Sequence, residues 1–234
     1  MKTKLVEIVK QISTKYKFGD FFRNFIAVAL GIIITFAGSD WIEDRKTQKE
    51  IKGALQLVKA EMQTNQETLQ NLIERITLEQ RGARYLLEYK NQLEEMSVDS
   101  LNKYASLPFQ WANFTFSNNA MEMLKASGLI QKIENKELSI EILSIYTEVK
   151  EVEISYSTYA EIKKELQNNL DNIPNIKQWN SQETNLRDTW KFYLKHPEGI
   201  QLLQQIPEIQ STEIYKNRLK HINEVINFIE KEYN

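Results

Sequence analysis

The sequence predicts an all-α protein, in which an N-terminal transmembrane helix is followed by an antiparallel helical bundle of long, heptad-patterned helices. Three observations predict this fold. Glycine and proline, which interrupt helices, number only 7 and 4 among 234 residues. One uncharged apolar run, residues 25–39, lies near the N-terminus. Three later stretches repeat apolar residues at alternating steps of three and four, the spacing of helices that pack knobs into holes.

The chain is expected to have three parts: a basic amphipathic tail at 1–20, a transmembrane helix at 21–42 and a soluble helical-bundle domain at 43–234. Residues 1–42 carry six basic and three acidic side chains, whereas the remainder carries 24 basic and 29 acidic ones. A basic tip before an apolar run suggests contact with an anionic membrane surface. One face of the tail would lie on that surface, a loosely ordered tail being the alternative; that face comprises Leu5, Val6, Ile8, Val9, Ile12 and Tyr16.

The apolar run becomes long enough for a bilayer when its flanks are included. A helix from Phe21 to Ile42 spans about 33 Å at 1.5 Å per residue, and a hydrocarbon core is about 30 Å thick. Arg23 and Asp40 would then lie near the two interfaces, and Trp41 would join the interfacial aromatic belt. A cleaved signal peptide and a buried core helix are the alternatives.

Orientation and self-association are suggested by weaker patterns. Six basic residues precede the span and five follow it closely, which favours the N-terminus inside and the bundle in a periplasm-like space, on a bacterial inner membrane. Small residues recur every four positions within the span, at Ala27, Gly31 and Thr35. This spacing lets two membrane helices approach closely, so it hints at a homo-oligomer.

Three heptad seams are predicted in the soluble part. The first comprises Ile51, Leu55, Val58, Met62, Asn65, Leu69, Leu72 and Ile76. The second comprises Leu138, Ile142, Ile145, Val149, Val152, Tyr156 and Tyr159, and the third Tyr215, Leu219, Ile222, Ile226, Ile229 and Tyr233. Asn65 is a polar exception of the kind that fixes register. We expect the three helices to pack on one another, with an intermolecular coiled coil as the alternative.

The shorter elements follow from capping and breaking residues. The first long helix should continue to about Met96, with a kink at Gly82. Between the first two long helices we expect a short helix within 97–106, a non-helical stretch at 107–116 and a helix capped by Ser117 and ending at Gly128. Asn135 should cap the second long helix, and a loop is expected at 175–185. Further on we expect a short helix at 186–195, a helical turn bracketed by Pro197 and Pro207, and a last helix capped by Ser211 or Thr212.

The junction after the apolar run carries a resemblance to a known group. It reads Trp41-Ile42-Glu43-Asp44-Arg45-Lys46, and a second block reads Ser127-Gly128-Leu129-Ile130-Gln131-Lys132-Ile133. The pattern resembles uncharacterised single-pass membrane proteins of Bacteroidota-type bacteria, although those usually have asparagine where this chain has Asp40. The resemblance implies a topology and a bacterial origin, and no activity.

No catalytic, cofactor-binding or metal-binding set is predicted. The chain contains no cysteine, which excludes disulfides and thiolate chemistry. Its two histidines stand apart in the sequence: His221 with Glu224 would make only half a metal site, and His196 lies at a helix end, where a cation complements the dipole. The aromatic residues Phe109, Trp111, Phe114 and Phe116 are either a docking patch or a cap on the core, and the cap is favoured; the same holds for Trp190, Phe192 and Tyr193.

The function expected from these patterns is a non-enzymatic, membrane-anchored interaction or scaffold module. Its partners would be the lipid bilayer and another protein, with a homo-oligomer as one form. A ligand-binding or sensory bundle, with a cavity near Tyr156 and Tyr159 and a partner to relay the signal, is the alternative, and an enzyme is the third. Nucleic-acid binding is disfavoured because the soluble part is net acidic.

Overall fold

The computed structural model describes residues 18–177 and 185–233, and within them it contains helices and no strand, which confirms the all-α class. The α-helices are α1 (Phe18–Glu88), α2 (Val98–Tyr104), α3 (Asn119–Ala126), α4 (Leu129–Lys132), α5 (Lys136–Asp171), α6 (Leu186–Tyr193), α7 (Pro197–Ile209) and α8 (Thr212–Tyr233). Short 3-10 helices occupy Leu93–Glu95 and Leu107–Phe109. The predicted surface helix at 5–16 and most of the 175–185 loop lie outside the described residues.

The chain divides into two compact units, residues 1–51 and residues 52–234, and α1 contributes to both. In the first unit, large apolar side chains are exposed around the whole helix: Phe22, Phe25, Ile26, Val28, Leu30, Ile32, Ile33, Ile34 and Phe36. Of the helices in 18–177 and 185–233, α1 alone is long and apolar enough to cross a membrane, and none of its most apolar window is buried. This segment is therefore a candidate membrane span.

Two polar details support that assignment. Inside the apolar segment, Thr35 Oγ1 donates a hydrogen bond to the Gly31 carbonyl at 2.7 Å, so the hydroxyl needs no water. One turn after the segment, the Arg45 guanidinium lies 4.1 Å from the centre of the Trp41 ring. An aromatic ring stacked with a cation suits the boundary between lipid and water.

The second unit is organised around the three predicted seams. From Leu55 onward all residues of the first seam are buried, as are all of the second; in the third, Leu219 and Tyr233 are half-buried and Val225 is buried in addition. This burial occurs within a single chain, so the seams pack on one another. Helix α8 runs antiparallel to α1, since Lys59 pairs with Glu230 while Gln66, further along α1, donates to Asn223.

Helices α1 and α5, however, run in the same direction. Glu61 of α1 meets Tyr146 of α5, and Glu79, five turns further along α1, meets Lys163. The predicted antiparallel packing therefore holds for α8 against α1 and α5 but not for α1 against α5. The reason is the connection over residues 89–135. It leads the chain from the Glu79 end of α1 back to the Glu61 end before α5 begins.

The shorter elements lie close to their predicted positions, with four corrections. Helix α1 ends at Glu88 rather than near Met96, and it passes unbroken through Gly82. Asn118, not Ser117, precedes α3, and α3 ends at Ala126 before Gly128, which has φ +69°. Helix α7 includes Pro207 and is longer than a turn. The start of α7 lies close against the end of α6: a Cβ added at Gly199 would lie 2.3 Å from the Tyr193 carbonyl oxygen.

Candidate interaction site

A pair of opposite charges is buried in the centre of the second unit. Lys163 of α5 and Glu79 of α1 are each 2% exposed, and Lys163 Nζ donates to Glu79 Oε1 at 2.9 Å. The Tyr159 hydroxyl donates to Glu79 Oε2 at 2.5 Å, and Arg75 Nε donates to Oε1 at 2.9 Å. Both carboxylate oxygens are therefore satisfied by hydrogen-bond donors, as a buried charge requires.

Burial shifts the pKa values of this cluster. Loss of solvation lowers the pKa of Lys163 below its ordinary value, although the Glu79 carboxylate acts in the opposite direction. Burial, followed by the negative charge of Glu79, raises the pKa of Tyr159, which remains a phenol and a donor. The polar groups of Lys163, Glu79 and Tyr159 are each held by other groups of the chain, so the cluster serves to bind parts of the protein together.

The element that the cluster binds is the 107–117 segment, which connects α2 to α3. Lys163 Nζ also donates to the carbonyls of Leu107 at 3.2 Å and Gln110 at 2.9 Å. Tyr156 donates to the Ala112 carbonyl at 3.0 Å, and Gln167 to that of Pro108. The donors of α5 lie four and seven residues apart, on one face of the helix. A segment with little regular structure thus has its carbonyls satisfied by side chains of α5.

The end of this segment is fixed by Asn65 of α1. Its side-chain nitrogen donates to the Ser117 carbonyl and its oxygen accepts from the Ser117 amide, both at 2.8 Å. Asn65 was expected to fix register between helices. Instead, it holds the backbone of the 107–117 segment against α1.

Helix α3 begins on a carboxylate supplied by another helix. Glu61 of α1 accepts hydrogen bonds from the amides of Ala120 at 2.9 Å and Met121 at 3.3 Å, and from the Tyr146 hydroxyl at 2.5 Å. An acceptor at these amides stabilises a helix start in the same way as a local cap. Burial acts to raise the pKa of Glu61, but these hydrogen bonds outweigh it and hold the pKa below its ordinary value.

A groove of about 710 Å³ lies between α3 and α5. Its lining includes Phe116 and Met121 on one side and Leu143, Tyr146 and Ile154 on the other. We refer to it as the α3–α5 groove. Ile154 and Leu143 are 57% and 39% exposed, so the groove presents apolar side chains to solvent. Such a surface is suited to contact with a protein helix.

His221 does not form the predicted pair with Glu224. Its Nδ1 lies 3.0 Å from Glu148 Oε2 and its Nε2 lies 2.7 Å from Glu141 Oε2, so it links α8 to α5. Burial acts to lower the pKa of His221, but Glu148 and Glu141 outweigh it and raise the pKa. His196 follows α6, and its Nδ1 lies 2.9 Å from the Phe192 carbonyl, in keeping with the predicted role at a helix end.

The two aromatic groups are placed largely as core. Trp190 and Tyr193 are buried, and the Phe109 ring lies 5.4 Å from that of Trp190. Phe114 packs edge-on against Tyr156 at 5.1 Å. Trp111 is the exception, because it is 48% exposed. Phe116 lines the α3–α5 groove.

The cavity expected near Tyr156 and Tyr159 is occupied by the chain itself. Both side chains are buried, and their hydroxyls are bonded to Ala112 and Glu79. Over the described residues, no three His, Asp or Glu side chains are grouped so that they could hold a metal ion.

In comparisons with known proteins, no family model, no curated protein and no solved structure matches this chain. The resemblance to Bacteroidota-type membrane proteins therefore stays a prediction.

Sequence reasoning missed Glu79 and Lys163, although a signal for both was present. Continuing the first seam by one step of three from Ile76 leads to Glu79, and continuing the second by one step of four from Tyr159 leads to Lys163. A charged residue on a buried seam needs an opposite charge, and each seam supplies one.

Proposed function

We propose that this protein is a non-enzymatic interaction module anchored in a membrane. The single observation that carries the proposal is the exposure of apolar side chains around the whole first part of α1. A helix that is apolar on every side is stable when lipid or protein covers it, and the described part of the first unit contributes no other element to do so.

The role of the second unit follows from how its buried polar groups are used. Glu79, Lys163 and Tyr159 bond to one another and to the backbone, so they stabilise a shape. The surface that the second unit offers for contact is the α3–α5 groove, whose lining includes the exposed apolar side chains of Leu143 and Ile154. We propose that a helix of a protein partner binds there, on the periplasmic side of a bacterial inner membrane.

Fractionation of cells expressing the full-length protein tests the anchor. Replacing Ile33 and Ile34 by glutamate places two charges in the middle of the apolar segment, which is costly in lipid. We expect this variant to leave the membrane fraction, while a matched control, Val98→Glu on an exposed apolar residue of α2, stays there. Equal membrane retention of all three proteins contradicts the proposal.

In-cell photo-crosslinking tests the interaction role. A photo-crosslinker at Thr147, inside the α3–α5 groove, is expected to give a discrete product, and one at Lys220, exposed on α8, is expected to give none. A further probe at Trp111 reports on the exposed end of the 107–117 segment. If neither Thr147 nor Trp111 gives a product, the interaction role is wrong.

A further inference from the structure

Helix α5 has apolar residues on two opposite faces. Its inner seam is buried, but a second row of residues with the same alternating spacing lies on the outside; we call it the outer stripe, and it comprises Ile140, Leu143, Thr147, Lys150 and Ile154. Each of its members precedes a seam residue by two positions, which places it about 200° round the helix. Ile140 is 64% exposed and Ile154 57%.

The spacing of the outer stripe is typical of residues that pack against another helix. Alternating steps of three and four keep a row of side chains facing one neighbouring helix over several turns. Along most of its length the stripe borders the α3–α5 groove, which Leu143, Thr147, Lys150 and Ile154 help to line. The groove offers space for large side chains from whatever packs on the stripe.

The charges around the stripe limit what that partner can be. Lys125 pairs with Glu122 at 3.3 Å and Lys150 with Glu153 at 2.5 Å. Glu151 pairs with Arg218 at 3.3 Å. Acids and bases are thus mixed and already paired, so a strongly acidic or strongly basic partner gains no unpaired opposite charge.

A second copy of the chain fits such a surface. In a two-fold contact the same patch meets itself, and because its acids and bases are balanced, neither protomer opposes the other with an excess of like charge. Anchoring in one membrane would also concentrate the copies in one plane. In the first unit, a Cβ at Gly31 would meet nothing within 4 Å, so the small-residue face with Ala27 and Thr35 is open to another helix as well.

We infer that the outer stripe of α5 and the adjoining α3–α5 groove form a homodimer interface, in which the occupant is the same surface of a second copy. This inference rests on the proposed interaction role and names its partner. The contact would bury Ile140, Leu143 and Ile154 of both protomers.

Single-cysteine crosslinking tests the inference, because the natural chain contains no cysteine. Full-length variants Ile140→Cys, Leu143→Cys, Thr147→Cys and Ile154→Cys are oxidised in native membranes, with Lys220→Cys on α8 as the control. We expect at least one stripe variant to form a disulfide-linked dimer several-fold more than the control does. Stripe variants that crosslink no more than Lys220→Cys overturn the inference.

Charge substitution gives an independent readout. Ile140→Glu and Ile154→Glu alter exposed positions, so the thermal unfolding of α-helix should stay unchanged while the dimer fraction in detergent falls several-fold. An unchanged dimer fraction overturns the inference. The Thr147 photo-crosslinker separates the two proposals: a product with a different protein and no dimer removes the homodimer alone, whereas no product at either Thr147 or Trp111 removes the interaction role as well.

Discussion

Glu79 of α1 and Lys163 of α5 each occupy the next position along a heptad seam and meet at 2.9 Å in the core of the second unit. The pair also determines what lies between the helices, because Lys163 uses its remaining donors on the 107–117 segment. A methionine at either position would pack in the core but would bind nothing. The pair therefore links helix packing to the placement of a loop.

Lys163→Met should destabilise the protein by about 3 kcal/mol, because it leaves buried Glu79 with Arg75 as its remaining cation and deprives two backbone carbonyls of the lysine donor. Adding Glu79→Gln should make the double variant less unstable than the sum of the two single variants predicts. Urea unfolding of the full-length protein in detergent measures this. Lys164→Met, at an exposed neighbour, is the control, and a cost equal to the control's would show that the pair is not structural.

Asn65→Leu should release the end of the 107–117 segment. Leucine suits the seam but leaves the Ser117 amide and carbonyl without their partners, at a cost of about 2 kcal/mol. Hydrogen exchange should become faster at residues 110–118 in this variant. The exposed neighbour Gln63→Leu is the matched control, and unchanged exchange in Asn65→Leu would contradict the assignment.

Stability should depend on pH through His221, which faces Glu141 and Glu148, and Glu148 also pairs with Arg218. Its pKa is raised on folding, so its contribution is complete below the ordinary value of 6.5 and is lost as pH rises through the folded value. The contribution is about 1 kcal/mol, since the site is partly open to solvent. Urea midpoints measured across this range should fall with pH in the natural protein and in His196→Gln. In His221→Gln this fall should disappear, and its persistence would refute the assignment.

Two glycine substitutions should have opposite signs. At Gly199 an added Cβ would meet the Tyr193 carbonyl oxygen at 2.3 Å, so Gly199→Ala should lower the free energy of unfolding by more than about 1 kcal/mol. At Gly53, within α1, a Cβ meets nothing within 4 Å, so Gly53→Ala should raise it by about 0.5–1 kcal/mol. Urea unfolding of the two variants measures both free energies. A Gly199→Ala variant as stable as the natural protein would contradict the close contact of α6 with α7, and a Gly53→Ala variant less stable than the natural protein would contradict the open surface at Gly53.

The sequence was sufficient for the helices and their buried faces, because heptad spacing depends only on residues within one helix. Extending two seams by one step would also have predicted that Glu79 and Lys163 are buried together. The direction of α5 relative to α1 could not be read in this way, because it depends on the path of residues 89–135. Nor could the support of α3 by Glu61, since that cap comes from a residue 59 positions away along the chain.

The contacts that hold the 107–117 segment were predictable only in part, because they join residues that are far apart in the sequence. The pattern at 107–116 indicated little helix, and its aromatics indicated core packing, which Phe109 and Phe114 confirm. What binds the segment is a set of side chains from α1 and α5 that meet only after folding. The outer stripe, in contrast, was present in the sequence at steps of three and four, but only the structure shows that no described helix covers it.

The central claim is that the first part of α1 lies in a lipid bilayer, and cysteine accessibility tests it most directly. Ile34→Cys, in the middle of the apolar segment, and Lys49→Cys, on an exposed position beyond it, are compared in the full-length protein in liposomes. A membrane-impermeant maleimide should label Lys49→Cys on outward-facing molecules, while Ile34→Cys should stay unlabelled until the protein is unfolded in detergent. Labelling of Ile34→Cys as fast as Lys49→Cys in intact liposomes would contradict the account.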